Sequence, residues 1–118
     1  MPTFERGQIV RVPFPYTDRD TRQHRPALVV SDGPVGDLGT LLWVIMITSA
    51  ENRRWPGDVS LVRGYRRVGL PAPSLIRTAK IATIEGRQAE AIGKLDARRM
   101  GEVDANLGRH LGLRPPSR

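Results

Sequence analysis

The sequence predicts an α+β fold, a small and strongly bent antiparallel sheet or barrel closed by one C-terminal helix, on three observations. Ten prolines and twelve glycines punctuate the 118 residues into short segments. Most of those segments carry strand patterns, either alternating or wholly apolar. Near the end of the chain the apolar period changes to that of a helix. A single domain over residues 1–118 is expected, long enough to bury a core without staples.

The elements follow in order. Residues 8–14 alternate, with Val10, Val12 and Phe14 on one face, and Pro15 ends this first strand. Residues 18–24 are polar and charged without a period, a flexible loop that feeds an apolar, β-branched second strand at 26–31. A turn-rich link over 33–39 enters a third strand at 40–48. Its unbroken apolar stretch 41–47 predicts cover on both faces and so the centre of the sheet. Residues 58–62 and 74–84 are further strands joined by an arginine-rich link, and 91–95 pairs as the last one. Met100, Val103, Leu107 and Leu111 recur at helical spacing, with Asp96 placed as N-cap. Gly101, Ala105, Gly108 and Gly112 form a second stripe, about 110° round the helix from the apolar one. That stripe points to close approach by the sheet or a second subunit, with simple tolerance of glycine as the alternative.

Composition narrows the function classes. Without cysteine there is neither a disulfide framework nor a thiolate metal site, and His24 and His110 are the only imidazoles. No structural zinc and no cofactor are expected. The longest apolar run is far short of the roughly 20 residues of a membrane helix, and no charged-then-apolar leader opens the sequence, so a soluble, cytoplasmic protein is expected. The net charge of +7 rests on 17 arginines against Lys80 and Lys94. Arginine suits phosphate and bases, although a GC-rich genome also favours its codons. Whatever its origin, a field of that sign concentrates polyanions.

Standard catalytic signatures are missing: no GxSxG elbow, no HExxH and no phosphate-binding glycine loop. The two histidines lie far apart in sequence, and the acids are scattered singly apart from Asp18 and Asp20 in the first loop. A metal-dependent nuclease would want clustered carboxylates. What stands out is a series of segments in fixed order. Arg6-Gly7-Gln8-Ile9-Val10 opens the first strand, and His24-Arg25-Pro26-Ala27-Leu28-Val29-Val30 enters the second. Ile47-Thr48-Ser49 ends the buried strand, and Ser74-Leu75-Ile76-Arg77-Thr78 precedes Ile81-Ala82-Thr83-Ile84.

Together these segments resemble the PemK/MazF family of type II toxin endoribonucleases over nearly the whole chain. The resemblance implies a dimeric, SH3-like curled antiparallel sheet of the CcdB/MazF-like kind. It implies metal-independent, sequence-selective cleavage of single-stranded RNA, the activity of an mRNA interferase that inhibits growth. It also implies a cognate antitoxin whose acidic, disordered segment covers a basic groove. Arg25 and Thr48 correspond to the family's catalytic residues, Ser49 accompanies Thr48, and Arg77 matches an arginine implicated in some plasmid-encoded members. Those members carry an aspartate two residues beyond that arginine, where this chain has Ala79. Others carry a histidine in the first loop, where this chain has Asp18, Arg19 and Asp20, with His24 as the candidate substitute.

Chemistry selects the same residues. When the 2′-hydroxyl attacks its own phosphate, negative charge builds on a five-coordinate phosphorus, and a fixed guanidinium and a hydroxyl donor meet that charge. Arginine is a poor base at neutral pH, so Arg25 is assigned to charge stabilisation. The acceptor of the 2′-proton is left among Glu51, His24 and water. Tyr16, Trp55 and Tyr65 are placed to stack on unpaired bases, and Arg53, Arg54, Arg66 and Arg67 to contact the backbone. Two alternatives stay open: a gyrase-directed toxin of the same fold acting through its terminal helix, and a non-catalytic RNA-binding module.

Overall fold

The computed structural model describes residues 4–15 and 22–113. The elements are β1 (Gln8–Pro15), β2 (Arg22–Val29), β3 (Leu41–Ser49), β4 (Asp58–Leu61), β5 (Ser74–Glu85), a 3-10 turn (Gly86–Gln88), β6 (Glu90–Lys94) and α1 (Ala97–Leu111). The strands form one sheet in the order β4-β5-β3-β2-β1-β6, with every pairing antiparallel. β3 therefore lies inside the sheet, as its apolar run predicts. Its even and odd residues feed two cores: Leu42 and Val44 pack with Phe4, Val10, Val12, Ala27 and Val29, whereas Ile45 and Ile47 pack with Ile9, Leu28, Val59, Leu61, Ile76 and Val103.

The sheet curls at two identifiable places. On β5, residues 77–80 intervene between Ile76, paired with Ile47, and Ile81, paired with Ile45, so four residues face Met46 alone. Such a bulge bends the strand and increases its twist. The first part of β5 is thereby turned to pair with β4, through Asp58–Arg77, Val59–Ile76, Ser60–Leu75 and Leu61–Ser74. The second place is the seam where the 62–73 link lies against β6. A Cβ on Gly93 would sit 1.7 Å from the Val68 carbonyl oxygen, and one on Gly69 2.1 Å from that of Ile92. Only glycine permits this approach of backbone to backbone.

α1 begins as Asp96 predicts, its carboxylate accepting the Arg99 N–H at 3.1 Å. Val103 is fully buried, with Met100 and Leu107 packed against the same core. Gly112 ends the helix in the left-handed region at φ 71°, and the Leu113 N–H returns to the Gly108 carbonyl at 2.8 Å.

Three sequence expectations change. β2 starts at Arg22 and not at 26, because β1 runs on to Pro15 and supplies a ladder through Pro13–His24 and Pro15–Arg22. That part of β1 lies past the end of its pairing with β6 at Arg11, so Pro13 and Pro15 fall on an edge where a missing N–H costs no ladder bond. The short 3-10 turn before β6 has no counterpart in the sequence pattern. The glycine stripe of α1 is not met by the sheet: Gly101 has nothing near a would-be Cβ, and Gly108 and Gly112 serve the helix cap.

Candidate active site

The ladder between β2 and β3 is set by Val29–Val44, Leu28–Ile45 and Ala27–Met46, and stops there. Carried two residues further, the same register brings Arg25 opposite Thr48. By strand alternation both lie on the face of Ala27, Val29 and Val44. The pairing is not continued beyond Ala27–Met46, so positions 25 and 48 stand on the two strands at one end of the sheet. Both are half-buried, and Arg25 is paired on its other side with Val12 of β1.

Thr48 is held by a hydrogen-bonded turn. The Asn52 amide Nδ2 donates to Thr48 Oγ1 at 2.5 Å, and the Asn52 N–H donates to the Ser49 carbonyl at 3.1 Å. The Glu51 N–H donates to Ser49 Oγ at 3.1 Å. Thr48 Oγ1 is the acceptor here, which leaves its own O–H as a donor. Ser49 and Glu51 are exposed and line a depression with Ala50, Ala72 and Pro73. His24, also exposed, precedes Arg25 opposite Pro13. Tyr16 lies outside the described residues.

Arg77 is placed differently from what its sequence position suggests. It is 8% exposed, with its guanidinium turned into the 52–57 loop. Nε and Nη2 donate to the two Asp58 oxygens at 3.3 and 3.1 Å, Nη2 also donates to the Arg53 carbonyl at 2.6 Å, and the Trp55 ring stacks 4.1 Å from the guanidinium carbon. Arg77 thus holds the loop that carries Arg53 and Trp55, and its carboxylate partner is Asp58. Asp58 leaves no room for a role with substrate: its side chain is 1% exposed, and Oδ2 also accepts the Trp55 N–H at 2.8 Å. Asp58 therefore does not stand in for the aspartate that Ala79 replaces.

The next residue of β5 grips the same loop from the other side. Thr78 Oγ1 donates to the Gly57 carbonyl at 2.7 Å and lies 3.0 Å from His110 Nε2, while Asn106 Nδ2 donates to that same carbonyl at 2.9 Å. The single Thr78 proton is used on Gly57, so His110 donates from Nε2. Arg77 and Thr78, at the start of the bulge on β5, are both buried. Sequence reading misses Asn52, Asp58, Thr78 and the C-terminal helix contacts. Only the Asn52 spacing, four residues past Thr48 beyond a strand end, offers a signal. Tyr65, expected to stack on bases, instead packs against the core, with Arg66 5.6 Å from its ring. Among the described residues no three His, Asp or Glu side chains gather as metal ligands would.

A curled six-stranded antiparallel sheet closed by one C-terminal helix defines the fold class. A profile of the PemK-like, MazF-like toxin of type II toxin-antitoxin systems matches residues 5–111, and the chain belongs to that family. Solved structures similar to it include MazF in a MazE-MazF complex from Deinococcus radiodurans, with 23% identity and a TM-score of 0.75 over 97% of this chain and 100% of that one. An endoribonuclease in complex with its cognate antitoxin from a Mycobacterial species has 20% identity and a TM-score of 0.70, over 95% and 98% of the two chains. The Mycobacterium tuberculosis toxin MazF-mt6 has 20% identity and a TM-score of 0.64, over 90% and 98%. A search among curated proteins gives no match. No helix among the described residues is long and apolar enough to cross a membrane.

Proposed function

We propose that this toxin-family protein is a metal-independent endoribonuclease that cuts single-stranded RNA, mRNA included, at selected sequences. The observation that supports the reading is the β2–β3 register, which, carried two residues past Ala27–Met46, sets position 25 opposite position 48. The 2′-oxygen attacks the adjacent phosphorus, the bond to the 5′-oxygen breaks, and the products are a 2′,3′-cyclic phosphate and a 5′-hydroxyl. Arg25 meets the charge on the equatorial oxygens through two N–H groups, and Thr48 donates its hydroxyl proton to the same phosphate. The 2′-proton leaves to Glu51, to His24 or to water, and a proton returns to the departing 5′-oxygen. Ser49, Arg53 and Trp55 bind the flanking nucleotides, with Arg77 holding their loop in place.

The partners follow from the surface. The net charge of +7 favours an antitoxin whose acidic segment orders itself on the basic face. A homodimer is favoured by an apolar groove where Trp43 (50% exposed) and Ile81 (57%) meet Leu111 and the edge of Leu107. An apolar face of this kind is usual for a subunit contact.

The test is digestion of a long unstructured RNA by purified protein with EDTA present, followed by sequencing of fragment 5′ ends. Discrete cuts with 5′-hydroxyl ends are expected. Arg25→Ala should lower single-turnover cleavage by about 10²–10³ while leaving RNA affinity within a fewfold. Absence of cutting, or a loss of affinity that accounts for the whole loss of rate, refutes the proposal.

A further inference from the structure

A second charged site lies away from Arg25 and Thr48, where the 62–73 link meets the β6–α1 corner. A cavity of about 660 Å³ there is lined by Arg63, Arg67, Lys94, Arg98 and Arg99, with Asp96 as its one carboxylate. Asp96 is already committed as the N-cap, accepting from the Arg99 N–H and from Arg99 Nη1 at 2.9 Å. Arg99 is fixed further by donating to the Ser60 carbonyl at 3.1 Å and the Arg63 carbonyl at 2.7 Å. Its guanidinium lies 3.4 Å from where a Cβ of Gly64 would stand, so a left-handed glycine at φ 77° makes room for it. One cation is thereby built into the floor, while Arg63, Arg67 and Arg98 are exposed at the rim and Lys94 reaches only a distant Glu5 at 3.8 Å. The first turn of α1 adds the positive end of the helix dipole.

We infer that this cavity is a phosphate-binding subsite that takes a backbone phosphate of single-stranded RNA beyond the nucleotides being cut. The inference rests on the RNA reading above and extends it. Topology connects the two places: Ser49 and Leu61 both pair with Ser74, so about two strand spacings, roughly 10 Å, separate the Thr48 end of β3 from the end of β4. Arg63 follows two residues beyond Leu61, at the same end of the sheet as Ser49. An acidic peptide fits less well. Val68 is the one apolar side chain in the lining, and a segment that orders on binding needs apolar anchors to offset its lost entropy.

The experiment compares the wild type with Arg63→Ala/Arg67→Ala/Arg98→Ala, and with Arg87→Ala as an exposed arginine outside the cavity. All these side chains are exposed, and matching unfolding midpoints establish that the variants fold. Affinity is measured by fluorescence anisotropy over a range of salt, using 2′-O-methyl oligonucleotides that cannot be cut. One spans only the Arg25–Thr48 site and one is longer. For the longer strand the triple variant should bind about fivefold more weakly at 0.1 M salt for each phosphate it no longer neutralises, and the slope of log K against log salt should fall by about 0.7 per phosphate. The short strand and Arg87→Ala should be unchanged.

An unchanged slope overturns the inference, as does an equal loss for short and long strands. Loss of binding to an acidic peptide with RNA binding intact also overturns it, assigning the cavity to a protein partner. The endoribonuclease reading is judged separately. A wild type that cuts while the triple variant binds normally sinks only the subsite. A wild type that binds RNA but never cuts sinks only the nuclease.

Discussion

The buried pair Asp58–Arg77 gives the sharpest test of how the site is held. Removing the carboxylate by Asp58→Ala strips Arg77 of two hydrogen bonds and the Trp55 N–H of its acceptor, leaving a guanidinium that is 10% exposed. Breaking a buried ion pair from one side costs about 3–5 kcal/mol. Arg77 keeps the Arg53 carbonyl at 2.6 Å and the Trp55 ring at 4.1 Å, which places the expected loss near the lower end, about 3 kcal/mol. Lys94→Ala, at a fully solvated pair with Glu5, serves as contrast and should cost under about 0.5 kcal/mol. The combined Asp58→Leu/Arg77→Met variant removes both charges and should recover most of the loss. Urea unfolding midpoints at constant m-value measure all four proteins. A cost below about 1 kcal/mol for Asp58→Ala, or a double variant no better than the single one, would show that the pair does not anchor the loop. RNA cleavage should fall with Asp58→Ala and in the double variant alike, because both release Arg53 and Trp55 from their positions.

Further outcomes follow from other parts of the structure. Burial works to raise the Asp96 carboxyl, but hydrogen bonds from the Arg99 side chain and N–H outweigh it and hold it below its ordinary 3.8. The stabilisation that ionised Asp96 gives is therefore present above that value and is lost as pH falls through the depressed range. Asp96→Ala should cost about 1 kcal/mol at pH 7 and progressively less in acid, read from urea titrations at several pH values. Gly93→Ala drives a methyl into the Val68 carbonyl and should exceed the roughly 1–3 kcal/mol of ordinary overpacking, whereas Gly101→Ala, into open space on α1, should stabilise by about 0.5–1 kcal/mol; thermal unfolding separates them. Thr78→Val removes the hydroxyl between Gly57 and His110 and should cost about 1 kcal/mol, since Asn106 still satisfies the Gly57 carbonyl, and it should speed amide exchange in the 52–57 loop.

Period and punctuation carry most of the strand assignment, and the reasons for success and failure are physical. Leu41–Ser49 is legible because both faces of an inner strand meet apolar partners, so composition alone marks it. Asp96 is legible because an N-cap is a local interaction three residues long. Arg22 to His24 is not legible as strand, since its pairing comes from β1 and its own polar residues carry no alternation. Arg25 and Thr48 are reached through family likeness and the chemistry of phosphate. Arg77 is reached the same way, but its use is not, because its partners Asp58 and Trp55 are brought to it by the β4–β5 register and a bulge that leaves no mark in the pattern. Non-local pairing of side chains is the part of a fold that single-sequence periodicity does not encode.

The bulge explains how the 52–57 loop is tied to β5 on both sides. A regular β5 would send Arg77 and Thr78 to opposite faces and leave the 52–57 loop tied on one side only. With four residues of β5 set against Met46, Arg77 takes the Arg53 carbonyl and the Trp55 ring while Thr78 takes the Gly57 carbonyl, so both ends of the loop are fixed to one strand. Asn52, at the start of that loop, is then held where its amide reaches Thr48 Oγ1. Arg25 comes from the other direction, on a hairpin arm that β1 supports and β3 does not. The Thr48 turn is thus tied by side-chain hydrogen bonds, while the Arg25 segment is carried by its pairing with β1. Binding of RNA or of an acidic antitoxin segment should therefore move the Arg25 arm far more than the Thr48 turn. Amide exchange with and without a 2′-O-methyl strand would show this, with new protection concentrated in Gln23 to Pro26 and little change at Thr48 to Asn52; the opposite distribution would refute it.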